Sequence, residues 1–256
     1  MSELLKLIKY ERQILIAEEA KKADFDYGNP AFIRIIKNEG ILELWLKQTG
    51  SPQYGLYKSY PICSYSGDLG PKLAEGDKQA PEGFYTVGAD QLNPWSQYHL
   101  SFNLGFPNEY DRAWGRTGSA LMVHGGCQSI GCYAIGDKNV EEVYLLVEAS
   151  VENGHDVPVH IFPFRMQGQN MQLHASNPWM PFWYNLKEGY DLFEITKIPP
   201  EYSVASGHYG AKYVFQGPRI PYYQLSGLNK NDSTLQPPRD GKYFRTRQQV
   251  QNLAGG

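Results

Sequence analysis

The segment that most constrains how this chain folds is a glycine-rich loop between two short apolar segments. Residues 121–123 predict the end of a buried strand, and residues 133–135 predict the start of the next strand. His124 and Cys132 stand at the two ends of the loop. Glycine adopts backbone conformations that other residues avoid, so the loop can fold back tightly and bring the imidazole to the thiol. The loop glycines are Gly125, Gly126 and Gly131.

The residue types in this loop are those of a cysteine acyl-transfer site. A thiol can attack a carbonyl carbon, and a neighbouring imidazole can take the thiol proton as general base. Gly131 directly precedes Cys132, so we expect the backbone N–H groups of both residues to point at the oxyanion that forms during the attack. The sequence therefore predicts Cys132 as the nucleophile and His124 as the base.

A metal centre is the alternative chemistry for the same loop. His124, Cys127 and Cys132 could supply three ligands. The loop lacks the paired Cys-x-x-Cys spacing of structural zinc sites, and no fourth ligand is evident. We therefore expect no metal and no cofactor.

The odd number of cysteines leaves their pairing open. The chain has three cysteines. If Cys132 stays a thiol, Cys63 and Cys127 can pair in an oxidising compartment. A bond between Cys127 and Cys132 is the other possibility, and it would inactivate the enzyme because it consumes the nucleophile.

The pattern His-Gly-x-x-x-Ser-x-Gly-Cys resembles the active-site signature of the L,D-transpeptidase catalytic (YkuD-type) superfamily, in the shortened form of its YafK-like branch. The resemblance covers roughly residues 30 to 200 and implies the fold of that family. Segments on both sides of the loop agree with it: residues 70–72, 75–77, 80–85, 108–113, 116–119, 161–166, 182–183 and 189–190.

One position departs from the wider superfamily. Ile130 stands where a second histidine usually precedes the Gly-Cys pair, so His124 is the only nearby candidate base. The resemblance further implies that the Gly125 carbonyl fixes the tautomer of His124. Ser129 is expected to brace the loop.

The implied substrate carries free carboxylates, which guanidinium groups can bind with two hydrogen bonds. The candidates for this role are Arg112, Arg116 and Arg165. For each of them, a structural or surface salt bridge is the alternative role.

The resemblance implies a cysteine-dependent hydrolase or amidase that acts at meso-diaminopimelate in peptidoglycan and releases attached protein through a thioester. An L,D-transpeptidase that forms cross-links or attaches protein is the first alternative. A cell-wall binding module without turnover is the second. The expected partners are peptidoglycan and a peptidoglycan-linked outer-membrane lipoprotein.

The periodicity of the remaining chain predicts strands up to the loop and mostly helices after it. The resemblance implies how these elements assemble: an α+β fold, a mainly β catalytic sandwich with an N-terminal helix and C-terminal helices. Ser2 to Ala23 is expected to be a helix, capped by Ser2, with its packing face at Leu4, Leu5, Ile8 and Leu15. A hairpin is expected over residues 32–46, with its turn at 38–40. Further strands are predicted at 55–62, 84–87, 99–105 and 158–162, and further helices at 139–151 and 182–193.

Composition and the positions of proline and glycine divide the chain into three parts. We expect an N-terminal helical segment at 1–28, the catalytic domain at 29–200 and a C-terminal extension at 201–256. From Gly217 onward the chain is rich in proline, glycine, asparagine and serine, which favours extended or loosely ordered structure.

The charge and hydropathy of the chain exclude two function classes. The formal net charge is −3 and no long Lys/Arg block occurs, so we expect no nucleic-acid partner. No apolar run approaches the roughly 20 residues that a membrane span requires. The first residues lack the apolar core of a signal peptide, but the implied cell-wall substrate favours the periplasm.

Overall fold

The computed structural model describes residues 1–207 and 210–216, together with the backbone of two short paired strands, Leu235–Gln236 and Arg245–Thr246. The chain divides into two compact units, Met1–Phe164 and Arg165–Gly256. The predicted loose extension from Gly217 onward lies outside the described residues, apart from those two strands. The three domain limits expected from the sequence stay a prediction.

Helix α1 spans Glu3–Lys22 and begins as predicted, because Ser2 Oγ accepts a hydrogen bond from the backbone N–H of Leu5 at 3.1 Å. Its packing face was predicted only in part. Leu5 and Ile8 are buried, but Leu15 is 58% exposed. Leu15 follows Ile8 by seven residues and lies at the edge of the buried face, whose centre continues through Ile16 and Ala20.

The predicted hairpin is confirmed and lies at the centre of the larger sheet. Strands β1 (Ala31–Ile36) and β2 (Ile41–Lys47) pair antiparallel, from Ala31 opposite Leu46 to Ile36 opposite Ile41. The sheet order is β3-β2-β1-β9-β4, with β1 and β9 parallel and the other pairs antiparallel. The edge strands are β3 (Tyr54–Pro61) and β4 (Gly83–Val87), and β9 (Val157–Phe162) lies between β1 and β4.

A second sheet carries the glycine-rich loop. Its order is β5-β6-β7-β8, and the last two strands are parallel. Strand β7 ends at His124 and β8 begins at Tyr133, so both strands flanking the loop form where the sequence predicts them. The members are β5 (Leu92–Asn93), β6 (Ser101–Asn103), β7 (Met122–His124) and β8 (Tyr133–Ala134).

One hydrophobic core joins these elements within the first unit. It contains the inward side chains of α1, of both sheets and of helix α3 (Asp137–Glu152), which follows the glycine-rich loop. A short helix α2 (Glu109–Ala113) lies between β6 and β7. The α+β fold class is therefore confirmed. No helix in the described part of the chain has both the length and the apolar composition of a bilayer span.

The second unit contains two helices and a hairpin. Helix α4 spans Gly168–Leu173, and α5 spans Met180–Thr196, where the sequence predicts a helix. Strands β10 (Glu201–Gly207) and β11 (Gly210–Gln216) pair antiparallel. Asn185 of α5 and Tyr213 of β11 exchange two hydrogen bonds, at 2.9 and 2.7 Å, which fix the hairpin to the helix.

A buried lysine organises the long segment between β3 and β4. Lys37 Nζ donates to the backbone carbonyls of Asp68, Gly70 and Ala80, at 2.9, 3.1 and 3.0 Å, and lies 3.1 Å from Glu82 Oε1. The side chains of Lys37 and Glu82 are both fully buried. Burial lowers the pKa of Lys37, and the Glu82 carboxylate opposes that effect. One ammonium group therefore satisfies carbonyls along a segment that has almost no strand pairing of its own.

We expect Lys37→Met to lower the free energy of unfolding by about 3–5 kcal/mol, because it removes the ion-pair partner of the buried Glu82 carboxylate and one hydrogen-bond donor from each of the three carbonyls. Urea unfolding followed by circular dichroism measures this loss. Lys6→Met is the control: it removes an exposed ion pair with Glu3, and we expect a change below about 1 kcal/mol. Equal effects of the two substitutions would contradict the proposed role of Lys37.

Candidate active site

The pairing of β7 with β8 brings the two ends of the glycine-rich loop together. Val123 lies opposite Tyr133 and His124 lies opposite Ala134 in the parallel pair. His124 is the last residue of β7, and Cys132 comes directly before β8. His124 therefore ends one strand and Cys132 precedes the strand beside it, although seven residues separate the two in the sequence.

Two positions of the loop require glycine, each for a different structural reason. A side chain at Gly125 would lie 2.7 Å from both Asp137 Oδ1 and the Tyr98 carbonyl oxygen, so only glycine fits there. Gly131 has φ +94°, a conformation that side chains rarely adopt. The backbone N–H of Gly126 donates to Asp137 Oδ1 at 2.7 Å, which fastens the loop to the start of α3.

His124 is buried and its tautomer is fixed by one hydrogen bond. Its Nδ1 lies 2.6 Å from the carbonyl oxygen of Gly125, which can only accept. The proton therefore resides on Nδ1, and Nε2 carries the lone pair that a general base needs. The ring of Tyr98 packs against the imidazole, with 4.7 Å between the ring centroids. Burial lowers the pKa of His124, opposed by the Gly125 carbonyl, so the neutral imidazole dominates at pH 7.

Cys132 is half-buried and is the one cysteine outside a disulfide. Its Sγ accepts from the Met122 N–H at 3.4 Å and, as a thiol, donates to the Ala120 carbonyl at 3.6 Å. Burial raises the pKa of the thiol, while the Met122 N–H and the charge of Lys72 lower it. Within the described residues no hydrogen bond joins Cys132 to His124, so the expected contact is not formed in this resting arrangement, as is common before substrate binds.

The other two cysteines form the first of the two pairings that the sequence allowed. Cys63 and Cys127 are joined by a disulfide, with their Cα atoms 5.4 Å apart. The bond ties the middle of the loop to the segment after β3, where the Cys63 N–H also donates to the Ala134 carbonyl at 2.9 Å. Because the sulfur of Cys127 is consumed, the alternative metal site loses one of its three ligands.

The backbone around the nucleophile differs from the expected oxyanion site at one donor. The Gly131 N–H donates to Ser66 Oγ at 2.6 Å, and Ser66 Oγ itself donates to the Lys78 carbonyl at 2.6 Å. The Gly131 N–H therefore already has a partner, and the Cys132 N–H is left as the candidate donor. Ser129 Oγ donates to the Cys132 carbonyl at 2.7 Å, which restrains the loop beside the thiol.

The structure adds Lys72 to the site, a residue to which sequence reasoning gave no role. Lys72 is buried, pairs with Asp77 and donates to the Ala74 carbonyl at 2.9 Å. Burial raises the pKa of Asp77, but backbone N–H groups and Lys72 outweigh it and lower this pKa to about 2. A fixed positive charge thus acts on the thiol of Cys132. Lys72 lies sixty positions from Cys132, so no local sequence signal could identify it.

The three candidate arginines occupy different environments. Arg116 is buried, pairs with Asp111 at 2.8 Å and lies over the ring of Tyr110, which is the structural alternative for this residue. Burial raises the pKa of Asp111, opposed by Arg116. The Arg112 guanidinium donates to the Pro107 carbonyl. Arg165 is half-buried and belongs to the second unit.

A free thiol and a buried imidazole at the two ends of one loop are the groups that a thiol acyl-transfer centre requires. The family model for the L,D-transpeptidase catalytic domain, YkuD, matches residues 33–161. YafK of Escherichia coli K12, whose name assigns it to the L,D-transpeptidases, is 48% identical over 183 residues, which cover 71% of this chain and 74% of that protein. YafK of Escherichia coli O157:H7 matches to the same extent.

Solved structures also match, at lower similarity. The helical cell shape determining protein Pgp2 of Campylobacter jejuni has 20% identity and a TM-score of 0.44, over 69% of this chain and 73% of Pgp2. A mutant of Pgp2 has a TM-score of 0.43, and the match spans 59% of that chain.

The family match and the identity to YafK are sufficient to assign the chain. It belongs to the L,D-transpeptidase (YkuD) family, and its closer resemblance to YafK was predicted from the loop pattern. This is a family of cell-wall enzymes that act on peptidoglycan.

We expect Lys72→Met to move the pH profile of Cys132 alkylation by iodoacetamide to higher pH, because loss of the ammonium raises the pKa of the thiol. Mass spectrometry of the unreduced protein measures the rate, since Cys132 is then the only thiol. Lys72→Arg should retain the wild-type profile. Lys22→Met, at the exposed end of α1, controls for net charge. A shift to lower pH in Lys72→Met would contradict the assigned role.

Proposed function

We propose that this protein is a cysteine-dependent peptidoglycan hydrolase that cleaves at meso-diaminopimelate and releases covalently attached protein or stem-peptide links. The observation that carries this proposal is the pair formed by the unpaired Cys132 thiol and the His124 imidazole, whose Nε2 is left as a base. Membership in a peptidoglycan-acting family supports the substrate class.

Acylation begins when the Cys132 thiol turns from the Ala120 carbonyl and loses its proton to His124 Nε2. The thiolate attacks the carbonyl at the L-centre of meso-diaminopimelate, and a C–S bond forms. The Cys132 N–H stabilises the oxyanion. The C–N bond then breaks, and the imidazolium gives its proton to the departing amine, which leaves a thioester on Cys132.

Deacylation reuses the same imidazole with water. His124 takes a proton from the water, the resulting hydroxide attacks the thioester, and the C–S bond breaks. The departing thiolate takes the proton back from the imidazolium, and the new carboxylic acid loses its proton to solvent, which leaves a free carboxylate on the substrate and the regenerated thiol. Lys72 supplies a positive charge that favours the thiolate as nucleophile and as leaving group in both half-reactions.

The surroundings of the thiol support hydrolysis over transfer. A transferase must hold an acceptor amine against the thioester and keep water from competing. Ile130, two residues before the nucleophile, is 75% exposed and has no polar group to orient such an amine. Arg116 is engaged with Asp111, so it offers no open guanidinium for the acceptor carboxylate.

The disulfide supports a periplasmic location for this reaction. Bonds such as Cys63–Cys127 form and persist in oxidising compartments and are rare in the cytosol. Peptidoglycan and a lipoprotein attached to it are the partners that such a location allows.

We expect Cys132→Ala to abolish release of attached protein while the circular dichroism spectrum and melting temperature stay unchanged, because no other group of the loop can form the thioester. The double variant Cys63→Ser with Cys127→Ser is the control and should remain active, since neither sulfur takes part in the reaction. Gel analysis of peptidoglycan carrying attached lipoprotein measures both. Activity that persists without Cys132 would remove the thiol mechanism.

Hydrolysis should dominate over transfer when both are possible. With peptidoglycan plus excess acceptor peptide or D-amino acid, mass spectrometry should show free ends and released protein far in excess of new cross-links. Spectra dominated by diaminopimelate-to-diaminopimelate cross-links or exchanged D-amino acids would instead identify a transpeptidase. No product with either substrate, despite an alkylatable Cys132, would favour the binding module.

A further inference from the structure

Helix α1 presents apolar side chains on two opposite faces. The inward face is buried in the core of the first unit through Leu5 and Ile8. The outward face exposes Leu7, Tyr10 and Ile14, which are 52%, 84% and 70% accessible. Single exposed apolar residues are ordinary, but a row of three on one helix face marks an interaction surface.

The exposed residues belong to a regular heptad pattern. The spacing between successive members alternates between four and three residues, which is the period of a coiled-coil seam. The members, here called the α1 seam, are Glu3, Leu7, Tyr10, Ile14, Ala17 and Lys21. Glu3 and Lys21 lie eighteen residues apart, which is five full helical turns, so they project from the same side of the helix. The seam is therefore apolar in the middle and oppositely charged at its ends.

We propose that the α1 seam binds the α1 seam of a second copy of this chain, with the two helices antiparallel. Placed about a two-fold axis at the helix centre, Tyr10 of each copy meets Ile14 of the other, and Leu7 meets Ala17. Glu3 of each copy then meets Lys21 of the other. The seam residues alternate between two heptad positions, a and d. Each of the three layers pairs an a residue of one copy with a d residue of the other, as antiparallel knobs-into-holes packing requires.

The charges at the two ends of the seam favour the antiparallel orientation. A parallel pair would place Glu3 against Glu3 and Lys21 against Lys21, and like charges in contact disfavour that arrangement. The antiparallel pair makes two opposite-charge contacts. Both side chains now make exposed pairs within the chain, Glu3 with Lys6 at 2.7 Å and Lys21 with Asp26 at 2.9 Å. Exchange of such exposed pairs costs little.

Charge also favours a second copy over a membrane surface. Helices that lie on membranes carry Lys and Arg along the polar face. The seam is flanked by the exposed carboxylates of Glu11 and Glu18, which anionic lipids would repel. A contact along one 20-residue helix is small, so the dimer is weak, with a Kd between about 1 μM and about 1 mM.

Sedimentation equilibrium of the full chain across this concentration range tests the proposal. We expect a monomer–dimer equilibrium in the wild type and a Kd raised at least about tenfold by Ile14→Glu. Leu173→Glu, at an exposed residue of helix α4 in the second unit, is the matched control and should leave Kd unchanged. A wild type that stays monomeric to about 1 mM, or equal effects of both substitutions, would overturn the proposal.

A charge reversal tests the orientation. Glu3→Lys and Lys21→Glu should each raise Kd, and the double variant should recover the wild-type value, because the two contacts reform with reversed sign. The alternative is that Glu3 and Lys21 act only on the helix dipole. The double variant would then have a lower melting temperature than either single variant, and its Kd would not recover. That result would overturn the antiparallel pairing. Co-sedimentation of the wild type, but not Ile14→Glu, with phosphatidylglycerol vesicles in the absence of dimer would assign the seam to a membrane instead.

Discussion

The site depends on one buried ammonium group. Lys37 Nζ bonds three carbonyls of the segment between β3 and β4 and pairs with Glu82, all away from water. That segment supplies Ser66 to the Gly131 N–H and the Pro81 carbonyl to the hydroxyl of Tyr133. The backbone on both sides of Cys132 is therefore held by a segment that Lys37 anchors to the core and that the Gln79 side chain bonds at two of the same carbonyls, those of Asp68 and Gly70. A buried charge or carbonyl left unpaired there would lower the free energy of unfolding by several kcal/mol, so other arrangements of this segment are strongly disfavoured.

Burial favours the neutral form of both proposed catalytic groups. It lowers the pKa of the His124 imidazole and raises the pKa of the Cys132 thiol. The thiol donates to the Ala120 carbonyl meanwhile. Lys72 opposes the effect of burial on the thiol, and it does so from a different segment of the chain. The reactivity of the nucleophile is thus set by groups that converge only in the folded protein.

Sequence periodicity predicted the elements well where local rules dominate. The hairpin β1–β2 and the cap of α1 at Ser2 formed as expected, because alternation and capping act over a few residues. Leu15 was wrongly predicted as a packing residue because it lies at the edge of the buried face, close to Ile8 around the helix, where periodicity alone does not separate buried from exposed positions. Strand β1 is buried on both faces, and its Arg34 pairs with Glu43 at 2.7 Å, which alternation does not foresee.

The sequence by itself determined the family and the loop between β7 and β8, and it nominated Cys132 and His124 as the reactive pair, because all of this information resides in one short segment. Tertiary structure decided everything that depends on distant partners. In the folded chain Cys63 pairs with Cys127 and not Cys127 with Cys132, and the Gly131 N–H donates to Ser66. The charge of Lys72 acts on the Cys132 thiol, and Arg116 pairs with Asp111. Electrostatic effects act through space, and the distances that set their strength exist only after the chain has folded.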